Sequence, residues 1–166
     1  NDVGLKTVYI AVENNQDPVF YSLLGSIGDG QLLESKLNPF MTESYSTLVQ
    51  TYSQKFKETY GVDAGMMGAD TYDAFYVAKD AITRAGTVDK EAVRDALEST
   101  DMPQMLILTE SGRIRFSTGV NYHEISPVTF IEQLKWDSAS STLKSQIVWA
   151  PTNSDSLKQA DFALPT

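Results

Sequence analysis

The hydrophobic period of this chain changes at Pro103, and that change limits the folds open to it. Before Pro103 apolar residues recur mostly at helical spacing; after it they alternate. On the early side, residues 5–12 are β-branched and aromatic, and Val8 to Val12 is nearly continuous apolar sequence. That pattern predicts a strand covered on both faces, as in a parallel α/β sheet. The polar turn Glu13, Asn14, Asn15, Gln16 follows. Asp17 and Pro18 then read as the N-cap and first position of a helix. Phe20, Leu23, Leu24 and Ile27 share one face of it, and Gly28 and Gly30 end it. Residues 31–37 read as a short strand, and Asn38-Pro39 as a turn or crossing segment.

A helix capped by Thr42 carries Tyr45, Leu48, Val49, Tyr52, Phe56 and Tyr60 at helical spacing and stops at Gly61. A second runs over 70–85 with apolar residues around most of its circumference, and a short third runs over 90–99 behind Asp89. Beyond Pro103, Met105–Leu108 and Arg113–Phe116 flank a turn at 110–112 and read as strands. Val128, Phe130, Leu134 and Trp136 alternate with Glu132 as a break, and Leu143–Trp149 reads as a last strand. From Pro151 onward the sequence reads as a polar tail. The first strand has no obvious parallel partner, and the helix over 70–85 wants more cover than the chain offers. Together with the opening at Asn1, this reads as a chain that starts in the middle, its neighbours supplied by an N-terminal half or a partner. A compact α+β domain folding alone is the other reading.

Composition narrows the chemistry. There is no cysteine, so no disulfide, thiolate nucleophile or thiolate zinc site. The single histidine, His123, excludes a His-pair metal motif. With 13 basic and 22 acidic side chains the net charge is −9, and no Lys/Arg cluster offers phosphates a patch, which disfavours nucleic acid. No apolar run approaches the length of a membrane span.

Ligands in open α/β sheets bind at the carboxyl ends of strands, where Glu13 and Asn14 fall. A carboxylate there can accept hydrogen bonds from a ligand ammonium, with Asn14 adding a polar contact. The same residues also fit a solvated turn with Asx-type capping. Met66 and Met67 precede the apolar helix, where methionine suits either a pliable ligand wall or core filling. His123 and Glu124 are neighbours and point to opposite faces of a strand, which argues against a base and its orienter. Gly25, Gly28 and Gly30 sit at a helix end, in the wrong order for a dinucleotide fingerprint. No nucleophile, base and oxyanion site assemble, so no cofactor and no enzyme activity are expected.

An ordered set of residues carries a resemblance: Tyr52 to Gly61 (Tyr52, Lys55, Phe56, Lys57, Tyr60), then Tyr72-Asp73-Ala74-Phe75, Asp80-Ala81-Ile82, Arg84-Ala85-Gly86 and Val93 to Leu97. Gly4-Leu5-Lys6, Asp17-Pro18, Gly112 to Phe116, His123, Phe130, Gln133, Trp136 and Val148-Trp149 agree with it. The succession resembles the later half of type I periplasmic binding proteins, and within them the branched-chain amino-acid receptors of ABC transporters.

The resemblance implies an incomplete α/β fold of Rossmann-like lobes with closing antiparallel strands. Residues 1–38 would belong to the second lobe, 39–117 to the first-lobe helices with crossing segments near Pro39–Thr42 and Arg113–Thr118, and 118–166 to the return and tail. It implies a non-enzymatic extracytoplasmic receptor, periplasmic or at the cell surface and lipid-anchored through a missing N-terminus. Its partners would be a small amino-acid ligand, an ABC permease and the missing N-terminal half. Glu13 matches the acidic residue that meets the ligand ammonium. Met67 falls where an apolar or aromatic residue lines the cleft. A sensor domain of a signalling receptor is the alternative with the same fold.

Overall fold

The computed structural model describes residues 8–40 and 45–151. The expected strand start at Leu5, the matching residues Gly4 to Lys6, the Thr42 cap with the end of its crossing segment, and the tail beyond Pro151 lie outside the described residues. In chain order the elements are β1 (Ile10–Ala11), α1 (Pro18–Leu24), β2 (Leu32–Ser35), α2 (Thr47–Tyr60), α3 (Met66–Ala85), α4 (Lys90–Glu98), β3 (Asp101–Pro103), β4 (Arg113–Arg115), β5 (Phe130–Asp137) and β6 (Thr142–Trp149). The chain divides into two compact units, Asn1–Met66 with Thr129–Thr166, and Met67–Val128.

The first unit is built on a four-stranded sheet in the order β1-β2-β5-β6. β1 does have a parallel partner: Ile10 pairs with Leu32 and Ala11 with Leu33 of β2. β5 runs antiparallel to both β2 and β6. The first strand is therefore shorter and less covered than its apolar run implied. Ala11 turns into the core, whereas Val8, Tyr9, Ile10 and Val12 are exposed because β1 is the sheet edge. One core gathers Ala11, Tyr21, Leu33, Leu134 and Leu143, with Phe20, Leu24, Phe40 and Trp136 packed on it.

Asp17 caps α1 as expected, its carboxylate accepting from the amides of Val19 and Phe20 at 2.7 and 3.1 Å. The buried face differs from the expected one. The backbone leaves the α-helix at Gly25, whose φ is +53°, and tightens into a 3-10 turn over Gly25–Gly28. Phe20 and Leu24 of the expected face pack on the core together with Tyr21, whereas Leu23, still within α1, and Ile27, beyond the break, are exposed. α2 starts one residue after Ser46, whose hydroxyl accepts from the Val49 amide, and ends at Gly61 in the left-handed region. In β5 the even-numbered residues Phe130, Glu132 and Leu134 share the core face and are fully buried. Glu132 thus continues the alternation that its charge had seemed to break.

The second unit carries most of α3, all of α4, and the β3–β4 hairpin. Asp89 caps α4 through the amides of Glu91 and Ala92. Phe75 and Ile82 of α3 are exposed, so the helix presents apolar surface that residues of this unit leave uncovered. The segment 105–108 is not a strand; Asp101–Pro103 pairs with Arg113–Arg115 instead. The buried Asp73 carboxylate draws the amides of Leu106 (3.0 and 3.1 Å) and Ile107 (2.9 Å) to itself, which removes them from any ladder.

Candidate functional site

The chain leaves β1 into a 3-10 turn over Glu13–Asn15, closed by hydrogen bonds from the Asn15 amide to the Val12 carbonyl and from the Gln16 amide to the Glu13 carbonyl. This puts Glu13 at the carboxyl end of the strand, half-buried, and leaves Asn14 exposed. An ammonium already meets Glu13. Lys36 Nζ lies 2.7 Å from Glu13 Oε2, with both side chains largely shielded from solvent. Lys36 was not a candidate in the sequence; the parallel pairing of β1 with β2 brings the ends of the two strands together.

Gln16 turns the other way, into the core. Its Nε2 faces the Leu37 carbonyl at 2.7 Å, Ser35 Oγ at 3.1 Å and both Glu132 oxygens at 3.1 and 3.3 Å. Its Oε1 accepts the Met66 amide at 2.8 Å. Asn38 extends the network: its Nδ2 donates to Ser145, its backbone amide donates to Tyr45 Oη, and its Oδ1 accepts from the Phe40 amide. Burial pushes the Glu132 carboxyl up to about 7, against hydrogen bonds from Ser145, Gln16, Asn38 and Ser35 that favour its ionised form. Burial also pushes the Tyr21 and Tyr45 hydroxyls well above their ordinary range, with the nearby Glu132 charge adding to it. Sequence reasoning missed Gln16 and Glu132; the one legible signal was a charge standing in an otherwise apolar alternation.

Met67 lies in the first turn of α3 and is 53% exposed, whereas its neighbour Met66 is fully buried. An open cleft of about 420 Å³ lies in the first unit, with Gln16, Pro18, Phe40 and Leu143 in its wall and Lys57 and Lys144 at its rim. Glu13, Asn14 and Met67 do not line it. In the second unit, His123 Nε2 lies 3.1 Å from Glu98 Oε1. Hydrogen bonds from Tyr122 and His123 hold the Glu98 carboxyl below its ordinary range. These groups are exposed and form a surface cluster. Among the described residues no group of three or more His, Asp and Glu is arranged to hold a metal ion, and no helix is long and apolar enough to cross a membrane.

This arrangement of strands and helices is the fold of the type I periplasmic binding proteins, as the resemblance implied. A leucine-binding protein, LivK, of Thermotoga maritima superposes with a TM-score of 0.69 at 21% identity, covering 90% of this chain and 39% of its own. LivJ of Streptococcus pneumoniae, a branched-chain amino-acid transporter substrate-binding protein solved with isoleucine, gives 0.67 at 12% identity, covering 90% and 39%. A leucine-, isoleucine-, valine-, threonine- and alanine-binding protein of Brucella ovis gives 0.67 at 12% identity, covering 99% and 42%. The chain therefore spans about two-fifths of the length of these proteins. No family model matches it, and no curated protein matches it in sequence.

Proposed function

We propose that this chain is part of an extracytoplasmic receptor that captures a small amino-acid-like solute and presents it to an ABC permease. The observation that carries the reading is the joint occurrence of two things: the fold, shared with proteins named for binding leucine and isoleucine, and a carboxylate, Glu13, at the carboxyl end of β1 in the turn that follows it. Glu13 offers its carboxylate to the ligand ammonium, Asn14 supplies a polar contact, and Met67 a pliable apolar wall. Lys36 holds one Glu13 oxygen, which orients the carboxylate and leaves its second oxygen for the ligand. Such a receptor binds and releases without chemistry, so no catalytic role is assigned to His123.

In this reading residues 1–38 and 118–166 belong to the second lobe, and 39–117 carries the crossing segments and first-lobe helices. The pairing of β2 with β5 supports joining the first and last stretches. The partners it requires are the N-terminal half of the receptor and an ABC permease, with the receptor held at the outer side of the membrane by a lipid anchor on that half. Calorimetry of the full gene product against a panel of amino acids tests it. Leucine or isoleucine is expected to bind, and Glu13→Ala is expected to weaken binding by about tenfold or more, as for loss of a charged contact. Unchanged affinity in that variant removes Glu13 from the site, and no binding across the panel removes the solute class.

A further inference from the structure

We propose that Gln16 and Glu132 form a buried brace that fixes the turn after β1 against the start of α3, and that this brace sets how well the Glu13 turn is preorganised for its ligand. A helix start leaves amides without intrahelical partners, and the residue before it ordinarily caps them. Here that residue is Gly65, which has no side chain. The cap comes from Gln16 Oε1, which takes the Met66 amide from 50 residues away. The two segments touch closely: a Cβ on Gly65 would sit 3.2 Å from the Gln16 carbonyl oxygen. Gln16 follows directly on the 3-10 turn that carries Glu13 and Asn14, and Met66 directly precedes Met67. The brace therefore holds the end of the Glu13 turn against the backbone at Met66, within the first unit.

Glu132 keeps the Gln16 amide in one orientation. Both its oxygens lie within reach of Gln16 Nε2, so the amide oxygen is left pointing at Met66. Flipping the amide would bring its oxygen against a carboxylate. The titratable groups that act on Glu132 from the packed elements are Tyr21 of α1 and Tyr45 before α2; Lys36 and Glu13, at the ends of β2 and β1, are paired with each other. Glu132 is neutral in acid and ionised in base, so the grip on Gln16 strengthens as pH rises.

Two readouts on the full gene product test this. The first needs no ligand. In Gln16→Ala, amide hydrogen exchange at Met66 is expected to speed up about tenfold, the equivalent of one lost buried hydrogen bond. Glu132→Gln keeps the volume, guards against a variant that fails to fold, and is expected to remove the pH dependence of Met66 protection, the exchange rate taken relative to the intrinsic rate at each pH, between pH 6 and pH 8. Unchanged Met66 exchange in Gln16→Ala, or an unaltered pH profile in Glu132→Gln, overturns the brace whether or not an amino acid binds. The second readout rests on the function proposed above. Leucine affinity is expected to fall about tenfold in Gln16→Ala. If Glu13→Ala weakens leucine and Gln16→Ala does not, the link from brace to site fails while the function stands.

Discussion

At the scale of single residues, the fully buried Glu132 carries a pH signature whose sign is opposite to that of a salt-bridged carboxylate. Its folded-state pKa is raised from 4.5 to about 7, so between those values the native state holds a proton that the unfolded chain has lost. Stability therefore falls as pH rises through that window, and above it the cost of a buried charge is fully present. The shift corresponds to roughly 3 kcal/mol. In Glu132→Gln this slope disappears, and the variant is expected to gain about 1–3 kcal/mol over the parent at pH 8 and little at pH 4.5. Urea unfolding at the two pH values reads the difference; a variant that loses stability equally at both removes the assignment. Glu132 was visible in the sequence only as an interruption. Alternation specifies which face a residue takes, and says nothing about whether polar partners wait there. Those partners, Gln16, Ser35 with Asn38, and Ser145, come from three separate parts of the chain. The Lys36 contact to Glu13 was hidden for the same reason, since it depends on strand register rather than local order.

At the scale of elements, features with a local cause were legible and features with a distant one were not. Asp17 at α1, Gly61 at the end of α2 and Asp89 at α4 all act within a turn of themselves, and each stands where its residue type indicated. The start of α3 was placed late, at residue 70, because its cap lies on Gln16 rather than next to it. Gly65→Ala probes that junction. The added methyl meets backbone, which cannot swing aside, so a loss of about 1–3 kcal/mol is expected in urea unfolding. A neutral result there means the two segments are looser than their packing implies. The stretch 105–108 was misread as a strand because alternation reports only side chains, whereas the amides of Leu106 and Ile107 are committed to Asp73. Asp73→Ala strands those two buried donors, and about 2–4 kcal/mol of destabilisation is expected, with Asp73→Asn milder because one acceptor oxygen remains. Equal unfolding midpoints for Asp73→Ala and the parent contradict that role.

At the scale of the whole molecule, the order β, α, β, helices, strands left a compact α+β domain and an incomplete α/β fold both open; the residue resemblance singled out the fold of the type I periplasmic binding proteins, and the solved structures bear that fold out. The sheet joins the two ends of the described chain, since β2 near the start pairs with β5 near the finish. Among the described residues one edge of that sheet is β6 and the other is β1, and there Tyr9, Ile10 and Val12 are each more than half exposed, with Val8 at 41%. A parallel edge strand with apolar residues on both sides is a template for further pairing, and no proline or lysine guards it within 8–12. The net charge of −9 opposes association at long range but acts weakly across a dry edge at physiological ionic strength. The 166-residue chain by itself is therefore expected to self-associate with rising concentration. Ile10→Lys puts a charge on the edge without entering the core, since Ile10 is 59% exposed, and is expected to shift the chain toward monomer while leaving its unfolding midpoint within about 0.5 kcal/mol of the parent. Sedimentation velocity across a concentration series distinguishes the two: a parent chain that stays monomeric throughout, or an Ile10→Lys chain that associates as strongly as the parent, means that β1 is not the edge through which copies meet.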